Sequence, residues 1–189
     1  MRNLIFAINT TLDGCCDHTK FRPDEETFEY FMHLTRDADT FLYGRKTYQL
    51  MVPYWPDIAK DPSGQTDADI EFARAFVAID KIIVFSQSLD SPEGAEAEKT
   101  RIVRTNLHDE ILKLKQEQGK NILAGGVTIP SQLAELGLID EYHIVVLPIV
   151  LGEGRRLFEG INLQEKLRLK LVESTVFKSG SVVLRYVKQ

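Results

Sequence analysis

The order of strand-like and helix-like segments constrains the fold of this chain more than any other feature. Short apolar runs alternate with amphipathic segments over residues 1–140, whereas residues 141–189 hold strand-like runs with no convincing helix between them. This alternation predicts a mostly parallel sheet with helices on both faces, and the tail predicts antiparallel strands at one edge. We therefore expect a three-layer α/β/α protein.

Segment bounds follow from hydrophobic periodicity and from local start and stop signals. Strands are predicted at Leu4–Ile8, Thr40–Tyr43, Lys81–Phe85, Arg101–Val103, Asn121–Ala124, Tyr142–Val150, Leu167–Phe177 and Val182–Val187. Helices are predicted after an Asp24 cap, at Arg45–Met51, from a Thr66–Asp69 capping box to about Val77, from Asn106 to Gly119, and at Thr128–Leu136. The Pro- and Gly-rich stretch Val52–Gly64 is predicted to be a long loop. Without a repeat or a dividing linker, residues 1–189 are expected to form a single domain.

Composition and charge exclude several classes of function. The formal net charge of −5 argues against broad, charge-driven nucleic-acid binding, and no apolar run approaches the length of a membrane span. Cys15 and Cys16 are adjacent, so they cannot form an ordinary structural disulfide. The first residues enter a strand pattern without a signal-peptide layout. A cytoplasmic protein is expected. The four histidines are scattered without metal-ligand spacing, so no metal site is expected.

Two glycine-containing segments each join a predicted strand to a predicted helix. The first is Gly44 with Arg45, Lys46 and Thr47, and the second is Gly125–Thr128. At a helix start, free backbone N–H groups and the helix dipole favour a phosphate, and the first segment adds two cations and a hydroxyl. Two such turns in one small chain indicate a ligand with more than one phosphate, such as a dinucleotide. Each turn taken alone could equally be a plain structural connection.

The chain resembles the dihydrofolate-reductase-like superfamily, and within it the branch that includes the reductase domain of the bacterial riboflavin-biosynthesis deaminase–reductase. The matching segments occur in the family's order and span nearly the whole chain. They are Thr11–Gly14, Gly44–Tyr48, Lys81–Ser86, Ala124–Gly126 and Pro148–Phe158. The resemblance implies an NADPH-dependent reductase that transfers hydride to a small heterocyclic or ribosylamino-pyrimidine-like substrate. It also implies a homodimer.

The resemblance also implies roles for particular residues of this chain. Phosphates would be held by the first glycine turn, which comprises Gly44, Arg45, Lys46 and Thr47. Ser86 would lie near the 2′-phosphate of the adenosine ribose. The pyrophosphate would be received by the second turn, which comprises Gly125, Gly126, Val127 and Thr128. Ala7 would meet the nicotinamide carboxamide, and Asp13 and Gly14 would belong to the loop that closes over the nicotinamide. Since Arg45 and Lys46 supply the charge that a 2′-phosphate requires, we expect NADPH to be preferred over NADH.

Departures from the family pattern leave alternatives open. The first predicted helix has Thr27-Phe28-Glu29 where folate reductases carry a pterin-binding acid, so dihydrofolate is not expected as the substrate. Asp13 is a candidate proton donor, although it could equally initiate a turn with Gly14. Tyr54 and Trp55 are interpreted as a lid or a subunit contact in preference to the alternative, a stacking platform for a base. The rival hypothesis is a non-catalytic dinucleotide-binding or assembly protein that kept the fold without turnover.

Overall fold

A single eight-stranded sheet runs through the protein. The computed structural model describes residues 1–92 and 94–189. The strands are β1 (Leu4–Thr11), β2 (Ala38–Gly44), β3 (Lys81–Phe85), β4 (Thr100–Val103), β5 (Asn121–Ala124), β6 (Glu141–Leu147), β7 (Leu169–Val176) and β8 (Val182–Lys188). They are arranged in the order β4-β3-β2-β5-β1-β6-β8-β7. Strands β1 to β6 pair in parallel, and β8 pairs antiparallel with both β6 and β7. The predicted mostly parallel sheet with antiparallel C-terminal strands is confirmed.

Helices cover both faces of this sheet. They are α1 (Glu25–Arg36), α2 (Arg45–Lys60), α3 (Asp67–Val77), α4 (Leu107–Gln116) and α5 (Thr128–Glu135), with a short 3₁₀ turn at Ala97–Lys99. Side chains from α1, α2 and α3 share one apolar core with alternate residues of β1, such as Ile5 and Ala7. Side chains from α4 and α5 share a second core with Phe6 and Ile8. Every residue of β1 is buried, as expected for a strand between two helical layers.

The prediction of a long loop from Val52 is wrong, because α2 continues to Lys60. Pro53 and Pro56 lie inside this helix, where each removes a backbone donor, and an interior proline costs about 3 kcal/mol. The opposing contribution is burial, since Val52, Trp55 and Ile58 are at most 6% exposed. Each fully buried side chain of this kind contributes about 1.5 to 3 kcal/mol, so packing outweighs the local preference of the prolines.

Two predicted helix caps are confirmed. Asp24 Oδ1 accepts a hydrogen bond from Thr27 N–H (2.8 Å) at the start of α1. Thr66 and Asp69 form the reciprocal capping box of α3. Other boundaries differ by a few residues. The helix predicted to end at Gly119 ends at Gln116, and the strand predicted to reach Val150 ends at Leu147, before Pro148.

Strand β7 forms one edge of the sheet, and most of it is open to solvent on both faces. Leu171, Val172 and Val176 are 47%, 44% and 71% exposed. An exposed edge strand with apolar side chains offers unpaired backbone groups to another chain.

The described residues contain no helix that is both long and apolar enough to cross a membrane.

The Asp24 cap ties α1 to the hairpin between β7 and β8. Asp24 Oδ2 accepts a hydrogen bond from the hydroxyl of Ser181 (2.6 Å), which is fully buried. We expect Asp24→Ala to lower the free energy of unfolding by about 1 to 2 kcal/mol, since it removes a cap and leaves a buried hydroxyl without its acceptor. Chemical denaturation measures the change. Glu25→Ala, on an exposed neighbour, is the control and is expected to stay within about 0.5 kcal/mol of the parent. Equal losses in both variants would contradict the assigned role of Asp24.

Candidate functional site

The connections after β2 and β5 leave the sheet in opposite directions. These two strands are parallel neighbours, with Leu42 opposite Ala124. The chain then enters α2 on one face of the sheet and α5 on the other. In an open α/β sheet, this change of direction creates a crevice at the carboxyl ends of the strands, where ligands bind. Topology alone therefore places the candidate site at the two glycine turns.

The two glycine turns are in direct contact. Gly126 has φ +84°, and a Cβ built there would overlap Oγ1 of Thr47. A Cβ at Gly125 would lie 2.9 Å from the Tyr43 ring, and one at Gly44 would lie 3.2 Å from Ile129. The structure thus brings together the residues that the sequence placed 80 positions apart. Glycine is required at Gly126 for two reasons, the left-handed backbone and the close approach of the neighbouring turn.

The two helix starts at this crevice have no side-chain caps in the part of the chain that the structure describes. Among the described residues, neither Gly44 at the start of α2 nor Val127 at the start of α5 receives a side-chain cap. Arg45 and Lys46 are exposed at the first helix start. Arg155 Nη1 donates to Thr128 Oγ1 (2.9 Å) and so adds a guanidinium at the second. Two uncapped helix starts with three cations fit the phosphates of a dinucleotide. The cofactor-binding roles of the glycine-turn residues stay predictions.

Ser86 lies next to this site but already has a local role. It directly follows Phe85, which is paired with Gly44 across β2 and β3. Its hydroxyl oxygen accepts hydrogen bonds from the N–H groups of Ser88 (3.2 Å) and Leu89 (3.0 Å). The hydroxyl therefore shapes the turn after β3, and its position beside the start of α2 is compatible with the predicted contact to a 2′-phosphate.

The loop around Asp13 and Gly14 is fastened to the segment that follows β6. Backbone hydrogen bonds join Leu12 N–H to Ile149 O (2.8 Å) and Leu157 N–H to Gly14 O (2.9 Å). The Asp13 carboxylate accepts from Thr11 Oγ1 (2.6 Å) and from the backbone N–H groups of Gly152 (2.9 Å) and Leu151 (3.2 Å). These hydrogen bonds, first among them that from Thr11, hold the pKa of Asp13 far below its usual range. They favour a structural role for Asp13 over the proton-donor role predicted from the sequence.

A cavity of about 370 Å³ opens between the sheet and α1, α2 and α3, on the face of β1 that carries Ala7 and Asn9. This volume lies in the usual range for small-molecule sites. Gly125, Gly126 and Thr47 border it, so the cavity adjoins the glycine turns. Ala7 lines it at the position predicted for contact with the nicotinamide. Its walls are mainly apolar and aromatic, with contributions from Phe28, Phe31, Met51, Tyr54, Trp55 and Phe72.

Trp55 belongs to this wall. It is 6% exposed, its indole N–H donates to Met51 Sδ (3.4 Å), and its ring lies edge-to-face with Phe72 at 4.6 Å between centroids. The side chain is therefore part of the cavity and the core, and the interpretation of Trp55 as a lid or a subunit contact is wrong. Tyr54 next to it is half exposed at the rim of the cavity.

Three titratable groups of the cavity have shifted pKa values. Burial lowers the pKa of His18, so this imidazole is neutral at pH 7. Burial raises the pKa of Tyr43 well above its usual value, so its phenol stays protonated. Burial acts to raise the pKa of Asp69, but hydrogen bonds from Thr66 and Arg22 outweigh it and lower that pKa. Asp69 is therefore ionised and pairs with Arg22 at 2.5 Å.

Asn9 has an unsatisfied polar group in this cavity. The residue is 7% exposed, and its Nδ2 has no hydrogen-bond partner among the residues that the structure describes. A buried donor without a partner costs about 1 to 3 kcal/mol. Sequence reasoning missed Asn9, although the signal was present, since it is an amide two positions after Ala7 and therefore on the same face of β1. Arg155 and the aromatic walls were also missed, because these contacts join segments far apart in the chain.

Gly126 provides a direct test of the contact between the two turns. We expect Gly126→Ala to lower the free energy of unfolding by clearly more than Gly64→Ala. Both glycines have positive φ (+84° and +76°), so both variants carry the left-handed strain of about 1 to 2 kcal/mol. A Cβ at Gly64 meets nothing within 4 Å, whereas one at Gly126 overlaps Thr47. Denaturation curves of the two variants measure the difference, and equal values would show that the turns separate without cost.

This chain is similar in sequence and in fold to known proteins. The uncharacterized protein YyaP of Bacillus subtilis (strain 168) is 32% identical over 189 residues, which cover 98% of this chain and 94% of YyaP. A solved structure from Shewanella sp. PV-4, provisionally assigned to riboflavin biosynthesis, has a TM-score of 0.73 at 22% identity and covers 100% of this chain and 99% of that chain.

A second solved structure is the diaminohydroxyphosphoribosylaminopyrimidine deaminase/5-amino-6-(5-phosphoribosylamino)uracil reductase of Thermotoga maritima. Its TM-score is 0.68 at 18% identity, over 100% of this chain and 57% of that chain. At these identities the structural likeness shows the shared fold. A family model extends the match to sequence, since the model described as RibD C-terminal domain matches residues 2–183. The chain therefore belongs to the RibD C-terminal domain family.

Proposed function

We propose that the protein is an NADPH-dependent reductase of a small molecule. The observation that carries the proposal is the position of the cavity, which adjoins two contacting glycine turns at uncapped helix starts. Membership of a family that contains reductase domains supports the same reading. Arg45, Lys46 and Arg155 supply the positive charge that a dinucleotide with a third phosphate requires.

The residues present fit such a cofactor, because, among the described residues, the starts of α2 and α5 have no side-chain cap, and Arg45, Lys46 and Arg155 lie beside them. When bound, NADPH supplies a hydride from its nicotinamide ring. The N–H groups at the starts of α2 and α5 bind the phosphates. Ala7, just beyond the Phe6–Ala124 pair that ends the contact of β1 with β5, orients the nicotinamide side of the ligand. The aromatic walls exclude water and hold the acceptor close to the ring.

The rival function is a dinucleotide-binding or assembly protein without turnover. It shares the glycine turns, so cofactor binding alone does not separate the two. The cavity of about 370 Å³ is lined both by the glycine turns and by aromatic residues of α1 and α3, which favours a reductase because an acceptor needs apolar space beyond the dinucleotide. Oxidation of NADPH with a panel of carbonyl, imine and pterin compounds discriminates between them, since binding without any oxidation favours the rival.

We also propose a cytoplasmic setting. Cys15 and Cys16 are free and buried, an arrangement compatible with a reducing compartment. Burial raises the pKa of the Cys16 thiol to about 11, so Cys16 is inert at neutral pH.

Arg45 provides the test of the cofactor. We expect Arg45→Ala to weaken NADPH binding about tenfold, since it removes a charge-assisted contact to phosphate, and to weaken NADH binding less. Trp55, the single tryptophan of the chain, lines the cavity, so energy transfer to the reduced nicotinamide reports binding. Lys113→Ala removes an exposed cation on α4, on the other side of the sheet, and serves as the control. Equal affinity of the parent protein for NADPH and NADH would refute the proposed preference.

The open edge of the sheet leads us to propose a homodimer that covers β7. Leu171, Val172 and Val176 are exposed there, and a second copy would bury them. We expect light scattering at micromolar concentration to give the mass of two chains, and Val176→Lys to shift it toward one. Leu112→Lys changes an exposed apolar residue of α4 in the same way and is expected to leave the mass unchanged. A monomeric parent protein would sink the proposal.

A further inference from the structure

The walls of the cavity over Ala7 and Asn9 suit a flat ligand. Phe28, Trp55 and Phe72 pack edge-to-face, with ring centroids 5.9 Å apart for Phe28 and Trp55 and 6.1 Å for Phe28 and Phe72. Phe31 from α1 adds a fourth aromatic side chain to the lining. Aromatic rings fixed by such contacts offer large apolar surface at low entropic cost, and they pack well on another planar ring.

The charges that line the cavity cancel. Among the lining residues that the structure describes, Arg22 is the one cation and Asp69 the one carboxylate, and the two form an ion pair. Arg22 also lies 5.7 Å above the ring of Phe28, which fixes its position further. His18 is neutral at pH 7 because burial lowers its pKa. A ligand that carried a phosphate into this cavity would find no free cation there, and an unpaired buried anion is strongly unfavourable.

Asn9 offers the cavity one directional polar contact. Its side chain lies on the same face of β1 as Ala7, and both residues line the cavity. Its Nδ2 has no partner within the described part of the chain and almost no accessible surface, so the amide group must turn about its Cβ–Cγ bond to donate to a ligand. A donor is satisfied by an acceptor, and in a ligand that a hydride can reduce this acceptor is a carbonyl oxygen or an imine nitrogen.

We propose that this cavity receives an uncharged, planar aromatic compound with a carbonyl or imine group, and that Asn9 Nδ2 donates a hydrogen bond to its oxygen or nitrogen. The inference rests on the proposed reductase function, because a carbonyl or imine carbon is what a hydride reduces. This inference narrows the substrate class, because the cavity accepts a bare aromatic heterocycle and disfavours the phosphoribosyl-substituted compounds of the ribosylamino-pyrimidine type.

The charge requirement is tested with two probes that share one ring. Isatin is an uncharged bicyclic carbonyl compound, and isatin-5-sulfonate is the same molecule with an anionic group. Calorimetric titration of the full-length protein is expected to show at least about tenfold tighter binding of isatin. Leu50→Arg adds a cation to an exposed residue that lines the cavity, and it is expected to improve binding of the sulfonate alone. Equal or tighter binding of the sulfonate by the parent protein would overturn the proposal.

The role of Asn9 is tested with Asn9→Ala, using indole as a probe without a carbonyl. The variant is expected to bind isatin about tenfold more weakly and indole with unchanged affinity. It is also expected to unfold at a higher temperature than the parent, because a buried donor without a partner is removed. Equal losses for isatin and indole would show that Asn9 shapes the cavity without holding the carbonyl, and would overturn its assigned role.

The outcome separates this inference from the proposed function. The isatin titrations are made without nucleotide, so they report on the cavity alone. The loss of NADPH affinity in Arg45→Ala reports on the glycine turns. Tight isatin binding by a protein that binds neither NADPH nor NADH would keep the cavity assignment and remove the reductase. NADPH binding by a protein that prefers the sulfonate probe would keep the proposed reductase function and overturn the cavity assignment.

Discussion

The contact between the two glycine turns is the constraint on which the rest of the site depends. Strands β2 and β5 are neighbours, yet their helices leave toward opposite faces, so the two turns must pass each other at the edge of the sheet. They can do so because Gly126 has no side chain where Thr47 lies. Close approach in turn sets both helix starts toward one crevice and leaves a cavity beside them. The positions of both helix starts at one crevice thus depend on this close contact.

Much of the fold could be predicted from the sequence because its signals are local. Lys81–Phe85 and Asn121–Ala124 are short apolar runs bounded by polar residues, and their predicted bounds agree with β3 and β5. Asp24 and Thr66 mark the starts of α1 and α3, because their side-chain oxygens accept backbone hydrogen bonds within the first helical turn. The prediction failed at Pro53 and Pro56, where the local signal favours a loop and long-range burial decides. The strand predicted to reach Val150 ends at Leu147, before Pro148, which has no backbone donor.

The same distinction between local and long-range signals applies to the residues of the candidate site. The glycine turns were found because a glycine between an apolar run and a helix-like segment is visible in a short window. The cavity was not found, because its walls come from α1, α2 and α3, and no window of the sequence contains Phe28, Trp55 and Phe72 together. Asp13 shows a related difficulty. Its position beside Gly14 suggested chemistry, whereas its carboxylate is occupied by donors from Thr11 and, in a segment about 140 residues later, Leu151 and Gly152.

The hydrogen bonds between the Asp13 loop and the segment after β6 have a consequence for folding during synthesis. The loop that carries Asp13 is made among the first residues, but its partners at Ile149, Gly152 and Leu157 follow six strands of the sheet. During synthesis both glycine turns emerge well before the segment that fastens this loop. Contacts of such sequence separation form late and slowly. A nascent or truncated chain that stops before residue 149 therefore carries both glycine turns while the Asp13 loop lacks the partners that fasten it.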